Sequence, residues 1–155
     1  MNRKLKKAVF TDLDGTLLSP HQFLSANDRS TLEKLGNLSI ERVIITGRSL
    51  FSCKKVVDDS FPIDYLVTSS GAGIFNFQTK KLIKDYHLSR CDTENAISVL
   101  EELELDFMVH EKVPNNHKFM WKRFGRHNED FDRRLALYSG NHRLFNSIND
   151  IKTSP

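Results

Sequence analysis

Val9-Phe10-Thr11-Asp12-Leu13-Asp14-Gly15-Thr16-Leu17 is the stretch on which the fold turns: an apolar run ends in two carboxylates two residues apart, and a glycine follows at once. Ala8-Val9-Phe10 is too continuously apolar at its start for a strand with one face in water, so it reads as a first strand, central in its sheet. In open α/β sheets, ligands sit beyond the carboxyl ends of the strands, where helix N-termini point their free N–H groups. A carboxylate placed there can attack phosphorus, and a second can protonate the leaving group and then activate water. Gly15 permits a sharp turn that brings its own N–H and that of Thr16 towards an anion. A calcium loop is the other reading of Asp-x-Asp-Gly, and it fails because Phe23 stands at the twelfth position from Asp12, where a bidentate glutamate is needed.

Outward from this stretch, short apolar runs alternate with amphipathic segments, the pattern of βαβαβ units and a parallel sheet. Asn27 is placed to cap a helix to about Leu35, with Gly36 as its stop. Ile40 to Ile45 reads as the second strand. Ser49 caps a helix that carries Leu50, Val56 and Val57 and ends before Phe61-Pro62. Tyr65-Leu66-Val67 is the third strand and runs into Ser69-Ser70-Gly71-Ala72-Gly73, whose glycines allow a tight turn. By parallel geometry, Thr46-Gly47-Arg48 at the end of the second strand shares a sheet edge with Asp12. Its hydroxyl, its glycine N–H and the start of the next helix make a phosphate cradle.

Past Phe77 the pattern changes. Ile74-Phe75-Asn76-Phe77 and Lys81-Leu82-Ile83 read as a hairpin, and a domain boundary is placed at 77/78. Asp92 is expected to cap a helix carrying Ile97, Leu100 and Leu103. Phe107-Met108-Val109 and Phe119-Met120-Trp121 follow as strands, and a last helix holds Phe131, Leu135 and Tyr138 on one face and stops at Gly140. The second half is thus a small α+β unit with antiparallel strands. Its Asn115, Asn116, His117 and Lys118 read as a polar hairpin turn, and Trp121 and Tyr138 as core. No periodicity marks the tail after Arg143.

Composition narrows the function classes. The 155 residues are 39% hydrophobic and 28% charged, ordinary for a folded domain, and the 23 basic and 20 acidic residues are interspersed, so the net charge of +3 marks no acidic partner. The basic cluster Arg3, Lys4, Lys6 and Lys7 has no interleaved aromatics, which argues against nucleic-acid binding. No run approaches the roughly 20 apolar residues that span a bilayer. Cys53 and Cys91 are far apart and no signal-like segment precedes Ala8, so a reducing cytoplasm is expected. The six histidines show no zinc-ligand spacing.

Asp12-Leu13-Asp14-Gly15-Thr16-Leu17 resembles the DxDGT signature of the haloacid dehalogenase (HAD) superfamily, and Thr46-Gly47-Arg48 resembles its second motif. Ser70-Gly71-Ala72 resembles the NGA segment that precedes the inserted cap in the C2-capped Cof-type and sucrose-phosphate-phosphatase-like branch, with Ser70 standing where that branch carries asparagine. The likeness extends over roughly residues 8–140. It implies the N-terminal half of a Rossmann-like HAD core over 1–77 and an inserted α+β cap over 78–155, incomplete at the C-terminus. It implies Asp12 as phosphorylated nucleophile, Asp14 as general acid/base, and Gly15, Thr16, Thr46, Gly47 and Arg48 around the phosphate. Mg²⁺ would be held by the Asp12 carboxylate and the Asp14 carbonyl, together with a late acidic residue.

The family's third-motif lysine and fourth-motif acid cannot be placed in this sequence, since no Asp-Asp or Gly-Asp pair follows Gly140. The resemblance also puts a later strand beside the first one; without it, Ala8-Val9-Phe10 would form a bare sheet edge. The expectation is therefore a truncated or N-terminal portion of a longer polypeptide. Two function classes follow from it: a Mg²⁺-dependent phosphatase for a small phosphorylated metabolite such as a sugar phosphate, or a non-catalytic fragment that keeps the fold and a weak phosphate site.

Overall fold

The computed structural model describes residues 7–125 and 127–151, which divide into two compact units, one up to Tyr86 and one from His87. Arg3, Lys4 and Lys6 of the basic lead-in lie outside the described residues, and Lys7 is exposed.

The first unit is a five-stranded sheet in the order β1 (Ala8–Asp12), β2 (Glu41–Ile45), β3 (Tyr65–Thr68), β4 (Gly73–Asn76), β5 (Leu82–Asp85). β1 to β3 are parallel and β3 to β5 antiparallel, so the sheet mixes crossover units with the hairpin read from the sequence. Leu13, Ile44, Ile63 and Leu66 are almost fully buried and pack with Leu18, Leu32, Cys53 and Phe77 into one core. The boundary expected after Phe77 cuts the β4–β5 hairpin; the compact units meet at Tyr86/His87, because β5 hydrogen-bonds to β4 and the Tyr86 N–H donates to the Ala72 carbonyl.

β1 is not central among the described residues. It pairs with β2 alone and lies at the end of the sheet, with Phe10 63% and Val9 38% exposed. The continuous apolar run that suggests two covered faces has no second neighbour here.

α1 (Ala26–Asn37) is capped by Ser25 rather than Asn27: the Ser25 hydroxyl accepts the Asp28 N–H at 3.1 Å and donates to the Asp28 carboxylate at 2.6 Å. Gly36 does not end the helix. Ser39 takes the left-handed conformation (φ 57°), its N–H bonding back to Gly36 while that of Ile40 bonds to Leu35. Gly36 instead makes room for Arg42, since a Cβ there would sit 2.6 Å from the guanidinium. That guanidinium forks onto Asp64 with two 2.8 Å bonds, and this holds the Asp64 carboxyl below its ordinary range. α2 (Leu50–Cys53) is far shorter than expected. Mixed turn bonds follow it, with the Lys55 N–H donating to Ser52 and those of Val56 and Val57 both donating to the Cys53 carbonyl.

The second unit is a three-stranded sheet with β7 (Phe119–Lys122) between β6 (Phe107–His110), antiparallel to it, and β8 (His142–Leu144), parallel to it. α3 (Arg90–Glu102) is capped by Ser89 through Asp92, and α4 (Glu129–Leu137) by Asn128. Ile97, Phe107 and Phe145 form its core. β8 and buried Phe145 thus lie in the tail that shows no pattern in the sequence.

Candidate active site

The acid pair owes its presentation to one buried leucine. Leu13 is fully buried while Asp12 and Asp14 on either side are exposed, because neighbours along an extended chain point to opposite faces. Gly15 then turns the chain with φ 73°, a conformation that would strain a residue carrying a side chain. The turn is closed by the Leu18 N–H donating to the Leu13 carbonyl at 2.8 Å, with Leu18 itself buried. Asp12, Asp14, Gly15 and Thr16 are therefore displayed to solvent on a loop pinned at both ends by core leucines.

The register places Asp12 opposite Ile45, so Thr46 follows directly beside the acid pair at the same end of two parallel strands. Thr46 is 3% exposed; its hydroxyl accepts the Arg48 N–H at 3.1 Å, which leaves the hydroxyl proton to donate elsewhere. Ser49 caps α2 by accepting the Ser52 N–H at 3.2 Å. A helix of only four residues sums few peptide dipoles, so the expected contribution of a helix dipole to the cradle is small, and discrete donors must carry it.

Arg48 meets the acid pair in a way that motif spacing does not disclose. Its Nε lies 2.8 and 3.1 Å from the two Asp14 carboxylate oxygens and its Nη2 lies 2.6 Å from one of them, while Nη1 reaches the Ser52 hydroxyl at 3.5 Å. The hydrogen bonds from Arg48 hold the Asp14 carboxyl below its ordinary range; burial opposes them, and the charge of Arg48 adds to the lowering. The Cys53 thiol beneath this loop is pushed up to about 12 by burial and is an inert core group.

A third loop closes on the second one. The Ser69 N–H donates to the Arg48 carbonyl at 2.8 Å and the Ser70 N–H to the Thr46 carbonyl at 3.0 Å. Both serines adopt left-handed backbone, φ 51° and 55°, so the turn expected of glycines alone begins on two serines. The sequence signal for them was only their place after the third strand.

Among the described residues no group of three or more His, Cys, Asp or Glu stands together as a metal cage. The end of β1 offers exposed hard oxygens, the Asp12 carboxylate foremost, and such a donor set suits Mg²⁺, which keeps several waters and takes one or two carboxylates with a phosphate oxygen. The second unit has its own open cleft of about 250 Å³ between β6 and α4, lined by groups that include His110, Asp130 and Arg134. Asn116 belongs to the β6–β7 turn, where its carbonyl lies 2.7 Å from His110 Nδ1; a carbonyl only accepts, so that nitrogen carries the proton. Trp121 is half-buried and donates to His142 at 3.1 Å. No helix among the described residues is long and apolar enough to cross a membrane.

A family model described as haloacid dehalogenase-like hydrolase matches residues 9–153. The 5-amino-6-(5-phospho-D-ribitylamino)uracil phosphatase YcsE of Bacillus subtilis is 30% identical over 86 residues, which are 53% of this chain and 34% of that protein. A phosphatase-named protein of Buchnera aphidicola is 36% identical over 103 residues, 66% of this chain and 36% of its own. Among solved structures, a HAD superfamily phosphatase of Bacteroides thetaiotaomicron superposes with a TM-score of 0.68 at 19% identity, over 94% of this chain and 51% of that one. A HAD subclass IIB sugar phosphatase gives 0.65 at 20%, over 94% and 54%. The chain thus spans about a third of the length of these sequence relatives and about half of these structures.

Proposed function

This chain belongs to the haloacid dehalogenase-like hydrolases, and from that premise we propose that it carries the phosphoryl-transfer site of a Mg²⁺-dependent, cytoplasmic phosphatase acting on a small phosphorylated metabolite. The observation that carries the reading is the exposure of Asp12 and Asp14 on either side of buried Leu13, beside the Thr46–Arg48 loop.

Asp12 attacks phosphorus through a carboxylate oxygen; the bond to the leaving oxygen breaks, and that oxygen takes a proton from Asp14. Water then attacks the aspartyl phosphate, gives a proton to Asp14, and frees inorganic phosphate and the Asp12 carboxylate. The Thr46 hydroxyl and the N–H groups of Gly15, Thr16 and Gly47 hold the phosphoryl oxygens. Mg²⁺, held by the Asp12 carboxylate and the Asp14 carbonyl, would neutralise charge on the transferring group. Asp14 must be protonated to act as an acid, whereas Arg48 holds it ionised. Arg48 therefore turns to the incoming phosphate in this reading, and its departure lets Asp14 take up its proton.

Substrates bearing a phosphorylated sugar or polyol chain are supported by the ribityl phosphate in the name of the Bacillus subtilis relative. A second reading, a non-catalytic fragment with a weak phosphate site, is favoured by the Arg48–Asp14 ion pair, which holds ionised the group that must deliver a proton. Hydrolysis of p-nitrophenyl phosphate with and without Mg²⁺ separates the two: the catalytic reading predicts metal-dependent turnover abolished in Asp12→Asn, and equal turnover in that variant rules Asp12 out.

A further inference from the structure

The phosphate reading above leaves the third loop without a task, although the fold takes unusual trouble to place it. Ser69 and Ser70 are consecutive non-glycine residues in left-handed backbone, a conformation costing side-chain-bearing residues enough that it persists only where the surroundings enforce it. The enforcing contacts are the two N–H groups, which donate to the carbonyls of Arg48 and Thr46, the residues flanking Gly47. Both backbone donors are spent on the clamp. What the loop presents above Gly47 is then the Ser70 side chain: a Cβ built on Gly47 would lie 3.7 Å from the Ser70 hydroxyl oxygen, with no other neighbour within 4 Å. Ser70 is exposed, whereas Thr46 one residue from Gly47 is buried.

From this juxtaposition we infer that Ser70 is a ligand-binding residue of the phosphate site, its hydroxyl donating to an oxygen of the bound phosphate ester above Gly47. The inference rests on the phosphate reading and adds to it a third side, opposite the acid pair across the Thr46–Gly47 backbone. The strained loop is the means of holding that hydroxyl in place before the ligand arrives, which removes the ordering cost that a freely turning side chain would incur. A serine suits the task where a longer donor does not: its hydroxyl sits close to its own backbone, here fixed 3.0 Å from the Thr46 carbonyl.

The test uses the whole chain and inorganic phosphate as probe, titrated calorimetrically with Mg²⁺ present, for the wild type and three variants. Ser70→Gly relieves the left-handed strain while deleting the hydroxyl, Ser70→Ala deletes the hydroxyl alone, and Ser70→Asn tolerates left-handed backbone and restores a donor. The inference expects Ser70→Gly and Ser70→Ala to weaken phosphate binding roughly tenfold, as loss of a hydrogen bond to a charged group does, and Ser70→Asn to recover most of it. A Ser70→Gly protein that melts higher yet binds phosphate as the wild type does overturns the inference and leaves the phosphate site standing. A wild type that binds no phosphate overturns the site itself, and Ser70 falls with it.

Discussion

The loop leaving β1 is open and the loop leaving β2 is closed. Asp12, Asp14, Gly15 and Thr16 face solvent, whereas Thr46 and Ser49 are buried and the Thr46 and Arg48 carbonyls are clamped from the third loop. On the proposed phosphatase reading, the difference follows from what each loop must do. A nucleophile and a proton carrier have to reach substrate and water, so only the leucines between and beyond them enter the core. Donors that bind phosphate gain by being fixed before it arrives, because no reorganisation is then needed at the moment of reaction. Arg48 joins the two loops through its ion pair with Asp14.

The contrast can be broken one residue at a time. On turnover the largest effect is expected from Asp12→Asn, a loss of at least about 10³-fold with little change in melting temperature, because an exposed group is removed from chemistry and not from packing. Thr46→Val should do both kinds of damage: a roughly 10- to 100-fold weaker reaction, and about 1 kcal/mol less stability from the lost bond to the Arg48 N–H, read by kinetics and denaturant titration.

Arg48→Gln is expected to change turnover at neutral pH only several-fold, but to move the pH–rate profile. Arg48 lowers the Asp14 pKa, so its removal raises it and shifts the limb set by the acid form to higher pH. The sign for stability is opposite to that of a histidine. Asp14 is depressed in the folded state, so the pair contributes above the ordinary carboxylate pKa, and that contribution is lost as pH falls through the lowered value. Wild type and Arg48→Gln should therefore differ in stability at pH 7 and converge in acid. The smallest effect on turnover belongs to Asp64→Asn. It weakens the fork from Arg42 at the opposite end of β2 from Thr46 and should cost about 1–3 kcal/mol of stability with turnover per folded molecule unchanged.

Much of the first unit was legible in its strands, because apolar runs such as Val43-Ile44-Ile45 leave little choice of partner. The acid pair and the Thr46 loop were legible for the same reason, since parallel strands bring their carboxyl ends together. Local chemistry was partly misread: Ser25-x-x-Asp28 and Ser89-x-x-Asp92 both place the cap on the serine, where Asn27 and Asp92 were expected to cap. Interactions decided by distant residues were not legible at all. Arg48 reaches Asp14 across 34 positions, β8 exists through pairing with β7, and Ser70 turns left-handed because Thr46 accepts its N–H. The position of β1 was legible in part: its apolar run announces two neighbours, and the bare edge expected in the absence of a later strand is what the described residues show.

The claim that Asp12 is the group that takes the phosphoryl is tested most directly by quenching the reaction during turnover, reducing with borohydride, which converts an aspartyl phosphate to homoserine, and locating the change by peptide mass spectrometry. Water attacks the aspartyl phosphate at phosphorus, so the Asp12 carboxylate keeps its own oxygens and only the trapped intermediate marks it. The account predicts homoserine in place of Asp12 and an intact Asp14; homoserine at Asp14 alone, or at neither position in samples quenched during steady turnover, would contradict it.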